Sequence, residues 1–228
     1  SYSVTGVQTC ALPICDLGRD LPYEDQLHWR AYNISPVGGV SETYYKRQIL
    51  AQFTDSSRPE HKFQQRYRDL RTASEEHLGW LIFLPLDAGD EHLFQNVRIP
   101  ATDEQRDFDE LVLGLTKTLI DSLNEKELNG LIPSEKRTEV KGSISRLEAA
   151  FRACGIEGSE DHVSFLRKLQ SLRSSSSAHR KGSNYRKIAT EFGIESQDLR
   201  TVFAGILRKA LAFLDYLIEA VRSGQLKY

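Results

Sequence analysis

Methionine is missing from all 228 residues, position 1 included. A chain without an initiator is expected to be a fragment, with an upstream domain of the full-length protein missing. Long apolar runs are missing too. Apolar residues make up 39% and charged residues 27% of the chain, and no stretch approaches the ~20 apolar residues that cross a bilayer, so no membrane association is expected. There is no CxxC, no HExxH and no close His/Cys cluster, so neither a metal site nor a cofactor is expected. Strong charge of one sign is also lacking: the net charge is -2 and the pI about 6.3. Such a molecule is not drawn to nucleic acid over its whole surface, and any attraction for a polyanion must be local.

Cysteine is scarce, with three in the chain. Two of them, Cys10 and Cys15, lie in the opening SYSVTGVQTCALPIC, where VTGVQTCALPI resembles a reading-frame translation of a sequencing-adapter oligonucleotide. Residues 1–15 are therefore expected to be non-native, which leaves Cys154. One cysteine forms no internal disulfide, and that predicts a reducing, cytoplasmic setting.

Prolines at 22, 36, 59, 85 and 100 punctuate the part from 16 to 100, which reads as the C-terminal remnant of the upstream domain. Within it SETYYKRQILAQF and EHKFQQRYRDLRTASEEHLG read as helices, the second with Phe63, Tyr67 and Leu70 on one face and Gly79 as its stop. WLIFL, 80–84, is either a buried strand or an apolar loop packed on the next domain.

Beyond Pro100 the pattern is helical throughout. Thr102 and Gln105 form the pattern of a capping box ahead of Phe108, Leu111, Val112, Leu115, Leu119 and Ile120. A second apolar stripe carries Val140, Ile144, Leu147 and Phe151 and stops at Gly155. A third comes after Ser159 with Val163, Leu166, Leu169 and Leu172. YRKIATEFGI, 185–194, adds a short helix, and the longest runs from about Gln197 to Ser223. Amphipathic helices joined by short links bury their stripes only against one another. The fold class expected is mainly α: an antiparallel four- to five-helix bundle over 101–228, preceded by a partial, mostly helical N-terminal segment.

Acidic residues are absent from one window of that bundle. Between Leu166 and Ile188 stand seven basic residues and no Asp or Glu. At its centre SLRSSSSAHRKGSNY, 171–185, places Arg173 six residues before His179 across four serines. On an unbroken helix that spacing is a rotation of roughly 600°, which leaves the two side chains about 120° apart. Serine hydroxyls compete for the local backbone, so the run predicts a break that frees both groups to converge. The same spacing occurs in RTASEEH, Arg71 to His77, where Glu75 and Glu76 would repel a phosphate.

Arg, an intervening run, then His, at the end of a helix inside a small all-helical bundle, resembles the signature of the HEPN superfamily. The resemblance covers 101–228. It implies a metal-independent endoribonuclease centre in which Arg173 holds the phosphate while His179 exchanges protons with the ribose 2′-hydroxyl or the leaving oxygen. Both residue types suit this chemistry, because imidazole titrates near neutrality and guanidinium offers forked donors. Around that pair Ser174, Ser177, Arg180, Lys181 and Arg186 are candidate phosphate contacts, and Tyr185 a candidate for stacking on a base. Ser174 stands where active members carry Asn, Asp or His, and its hydroxyl orients a phosphate less firmly than an amide does.

By the same resemblance the partners are single-stranded RNA and a second copy of the chain, since HEPN centres are usually shared between two protomers. The setting is toxin or antiviral defence. The alternative is a non-catalytic helical dimerisation or interaction module with a basic, nucleic-acid-binding pole. His28 and Trp29, near Glu24 and Asp25, read as an aromatic docking patch, and DEHLF, 90–94, as a helix start with surface acids.

Overall fold

The computed structural model describes residues 22–31, 58–176, 183–194 and 196–226, with the side chains of 28–31, 175–176 and 183–186 outside that description. The chain divides into two compact units, 1–54 and 55–228. The first is represented by helix α1 (Tyr23–Ala31), whose first turn carries Glu24 and Asp25. The helix expected over 41–53 lies outside the described residues.

The second unit is a packed set of helices: α2 (Pro59–Leu78), α3 (Glu91–Gln95), α4 (Gln105–Thr116), α5 (Glu125–Gly130), α6 (Ser143–Ala153), α7 (Glu160–Ser176), α8 (Ser183–Phe192) and α9 (Leu199–Arg222). A π-helical turn, Lys117–Asp121, continues α4. No strand occurs among the described residues. The protein is mainly α, as its sequence pattern predicts.

Each end of α2 is explained by its residues. Pro59 fits the first turn, where its missing N–H is not needed. Gly79 adopts φ +74° and sends its N–H back to the Ser74 carbonyl at 3.2 Å, a left-handed stop that side-chain-bearing residues resist. Phe63, Leu70 and Ala73 of α2 are buried, and the contact of α2 with α9 is the most extensive between helices of the unit. Helix α9 starts at Asp198, whose carboxylate accepts from the Thr201 amide at 2.8 Å. Its buried side holds Leu199, Val202, Phe203, Ile206, Ala210, Phe213, Leu214, Leu217 and Val221. Phe203 meets Phe108 of α4 edge-on at 6.1 Å between ring centroids. Burial of each such ring contributes on the order of 1.5–3 kcal/mol.

Helix α2 lies in the same compact unit as the later helices, which begins at Asp55, and packs along α9. One expectation is corrected: the capping box over Thr102 and Gln105 does not form. Helix α4 begins after Glu104 without a side-chain cap. The Asp107 carboxylate accepts instead from the Ala101 amide at 3.0 Å, and Asp103 accepts from the amide of Leu199, tying the start of α4 to that of α9.

WLIFL is a loop pinned by one antiparallel bridge, Phe83 to Leu123. Leu84 N–H donates to Ser122 O at 2.7 Å and Asn124 N–H to Ile82 O at 2.8 Å. The Asn124 side chain adds a donor bond to Leu81 O at 3.0 Å while its oxygen caps α5 at the Glu127 amide. Ile82 and Phe83 are thereby buried, and Tyr67 stacks on Phe83 at 5.4 Å.

Candidate nucleic-acid interface

Helix α7 carries the first half of the Arg/His pattern. Glu160 and Asp161 occupy its first turn and Arg173 its last, each where the helix dipole favours that sign of charge. Val163, Leu166, Leu169 and Leu172 are buried at three-residue steps. Arg173, next after Leu172, falls beside that stripe with its side chain about 32% exposed.

The helix ends within the serine run, with Ser174, Ser175 and Ser176 as its last residues. Ser174 Oγ donates to the Gln170 carbonyl one turn back at 2.9 Å. That bond satisfies the Ser174 hydroxyl without leaving helical geometry. Arg173 thus stands in the last regular turn of α7, just ahead of the helix end. Ser177, His179, Arg180 and Lys181 lie outside the described residues. Tyr185 and Arg186 sit in the first half of α8, with their side chains outside the description.

What Arg173 meets is an acid that its own sequence window lacks. Arg173 NH1 lies 2.6 Å from Asp121 Oδ2. Asp121 ends the π-helical turn, in which Ser122 N–H reaches back five residues to Lys117 O at 3.1 Å. Such a wide turn shifts the register of the residues after it by one position. It also lies amid buried hydroxyls that remain satisfied: Thr116, Thr118 and Ser122 each donate to the carbonyl four residues earlier, at 2.7, 2.8 and 2.7 Å. No local motif in LIDSL announces a partner for Arg173. The threonines set in an apolar run are the only trace of the irregular turn.

Two more bases of the acid-free window are paired from outside it. Arg167 bonds Glu148 of α6, and Lys168 Nζ lies 3.0 Å from Glu191 Oε2 of α8. These residues line a groove of about 430 Å³ with Ser171 and Lys187. At Arg167, Lys168 and Arg173 the positive charge of the window is thus met by carboxylates from other elements. The second copy of the spacing is self-contained: Arg71 pairs with Glu75 at 3.5 Å on the exposed side of α2.

A histidine unused by the pattern sits near the junction of α7 and α9. His162 packs against the Tyr216 ring at 4.5 Å and the Phe213 ring at 5.9 Å, and Tyr216 donates to Glu157 O at 3.0 Å. Burial holds the imidazole below its ordinary pKa, opposed by the charge of Asp161. Among the described residues no group of three or more His, Cys, Asp or Glu is placed to hold a metal ion, and no helix is long and apolar enough to cross a membrane.

No family model, no curated protein and no solved structure matches the chain.

Proposed function

We propose that the helical unit is a HEPN-like module that binds single-stranded RNA and cleaves it without metal, as part of a larger cytoplasmic protein of toxin or antiviral-defence type. The observation that carries this reading is Arg173: a partly exposed guanidinium at the end of a helix, held by the Asp121 carboxylate at 2.6 Å. A guanidinium fixed in one orientation binds phosphoryl oxygen at a smaller entropic cost than a free one. In the proposed reaction His179 takes the proton of a ribose 2′-hydroxyl, the oxygen attacks phosphorus, and a 2′,3′-cyclic phosphate forms as the 5′-oxygen leaves with a proton. Arg173 stabilises the charge on the phosphoryl oxygens. Pairing of two chains brings a second Arg173 and His179 to the cleft, which one of each would leave thinly furnished.

A second reading is favoured by a different observation. Arg167, Lys168 and Arg173 all face carboxylates from other elements, and such neutralisation suits a non-catalytic helical interaction module. Incubation of the full 228-residue chain with single-stranded RNA in the presence of a chelator separates the two. Cleavage lost in His179→Ala supports the nuclease; binding without cleavage supports the module.

A further inference from the structure

A cavity of about 540 Å³ lies away from the Arg173 helix end, between α6 and the segment that leads into it. That volume falls in the range of ~300–1,000 Å³ typical of small-molecule sites. Its outer wall is fixed by one arginine: Arg137 Nε donates to Ile132 O at 2.7 Å and its NH2 to Gly130 O at 2.9 Å. The chain is thus held in an arc from the end of α5 until Gly142, at φ +86°, turns it into α6. The cavity is pre-formed and does not depend on an occupant to open it.

The floor is aliphatic, made by Ile132, Pro133, Val140 and Ala149, and no aromatic ring lines it. A nucleobase would find nothing to stack on there. The rim carries Lys136, Lys141 and Arg152 against Glu139 and Glu148. Glu148 is already engaged, one carboxylate oxygen with Arg152 and the other with Arg167. Among the described residues neither Lys136 nor Lys141 has an ion-pair partner. The combination is an aliphatic floor under a polar rim, on which Lys136 and Lys141 outnumber Glu139, the rim carboxylate not engaged by an arginine. Lysine stems extend the apolar wall while their heads meet the solvent or an anion.

We propose that this cavity binds an aliphatic carboxylate of medium chain length, with the alkyl chain on Ile132, Val140 and Ala149 and the carboxylate between Lys136 and Lys141. The two lysines select the head and the aliphatic floor selects the tail. This site is independent of the RNA reading and stands or falls without it.

Octanoate, acetate and octylamine titrated into the full chain, followed by calorimetry and by amide chemical shifts, test the proposal. Octanoate is expected to bind saturably, with shifts confined to residues around 132–153. Acetate, lacking the chain, and octylamine, carrying the wrong charge, are expected not to. Lys136→Glu with Lys141→Glu, both exposed positions, is expected to weaken octanoate about tenfold or more, equivalent to ~1.4 kcal/mol. Ala149→Phe, which fills the slot, is expected to abolish binding with the helical circular dichroism unchanged. Equal binding of octylamine, or octanoate binding unaltered by the lysine reversals, overturns the proposal. So does a lack of saturable octanoate binding below its micelle-forming range.

Discussion

Arg173 and Asp121 meet at 2.6 Å although 52 residues separate them in the chain. The contact joins the last turn of α7 to the π-helical turn after α4, so a candidate phosphate-binding side chain is held by an element that no local pattern in the sequence connects to it. Both side chains remain about a third exposed, and pairs of that kind contribute roughly 0–1 kcal/mol. Asp121→Asn is therefore expected to shift the thermal midpoint by no more than a few degrees. With the competing carboxylate gone, binding of single-stranded RNA at low salt is expected to tighten while cleavage slows. A filter-binding titration beside a cleavage time course checks this, and slowed cleavage with unchanged binding would still assign Asp121 to positioning Arg173. Loss of the folded state would assign it to structure instead.

Asn124 holds three pieces together: its amide bonds Ile82 O, its side-chain nitrogen bonds Leu81 O, and its side-chain oxygen caps α5. It is also buried. Asn124→Ala removes a cap and takes a donor from the part-buried Leu81 carbonyl, with an expected cost of about 1–3 kcal/mol. Urea unfolding measures it, and a cost indistinguishable from zero would mean that water replaces both bonds.

The core that the apolar stripes outline is tested at Phe203, fully buried and edge-on to Phe108. Phe203→Ala is expected to destabilise the unit by about 3–5 kcal/mol in urea titration. A smaller loss would indicate that α4 and α9 close over the gap.

Legibility in the sequence differs by element. The stripes of α2, α6, α7 and α9 are legible because buried positions recur at helical steps, and Gly79 and Gly155 because both adopt positive φ at helix ends. The start of α4 is misleading, since Thr102 and Gln105 match a capping pattern that Asp107 satisfies in another way. The serine run coincides with the end of α7 at Ser176, while the bond from Ser174 to Gln170 O keeps its first residue in the last turn. Asp121 is invisible: its role depends on a wide turn and on a helix distant in the chain. Likewise the sequence does not show the partners of Arg167, Lys168 and Arg173, because Glu148, Glu191 and Asp121 approach them from other elements.

Two pH effects of opposite origin are expected. The Asp198 carboxyl is held below its ordinary range by the Thr201 amide and hydroxyl. A depressed carboxyl contributes stability above its unfolded pKa of ~3.9, and the contribution is lost as pH falls through the folded value. The destabilisation caused by Asp198→Ala at neutral pH is thus expected to shrink in strong acid, measured as the difference in urea midpoints. His162, lowered by burial against Tyr216, acts at higher pH. Both states are neutral above ~6.5, and below that the unfolded chain takes up a proton that the folded one resists, so stability falls as pH drops. His162→Phe is expected to flatten the stability profile between about pH 7 and 5. A wild-type profile already flat there would contradict the burial of this imidazole.

The proposed pairing of Arg173 with His179 is tested most directly by cleavage of end-labelled single-stranded RNA by the full chain in the presence of a chelator. Metal-independent cleavage leaving 2′,3′-cyclic phosphate ends is predicted, abolished by His179→Ala and by Arg173→Ala while the helical circular dichroism is unchanged. Intact RNA with the unaltered chain, or cleavage that survives both substitutions, would contradict it.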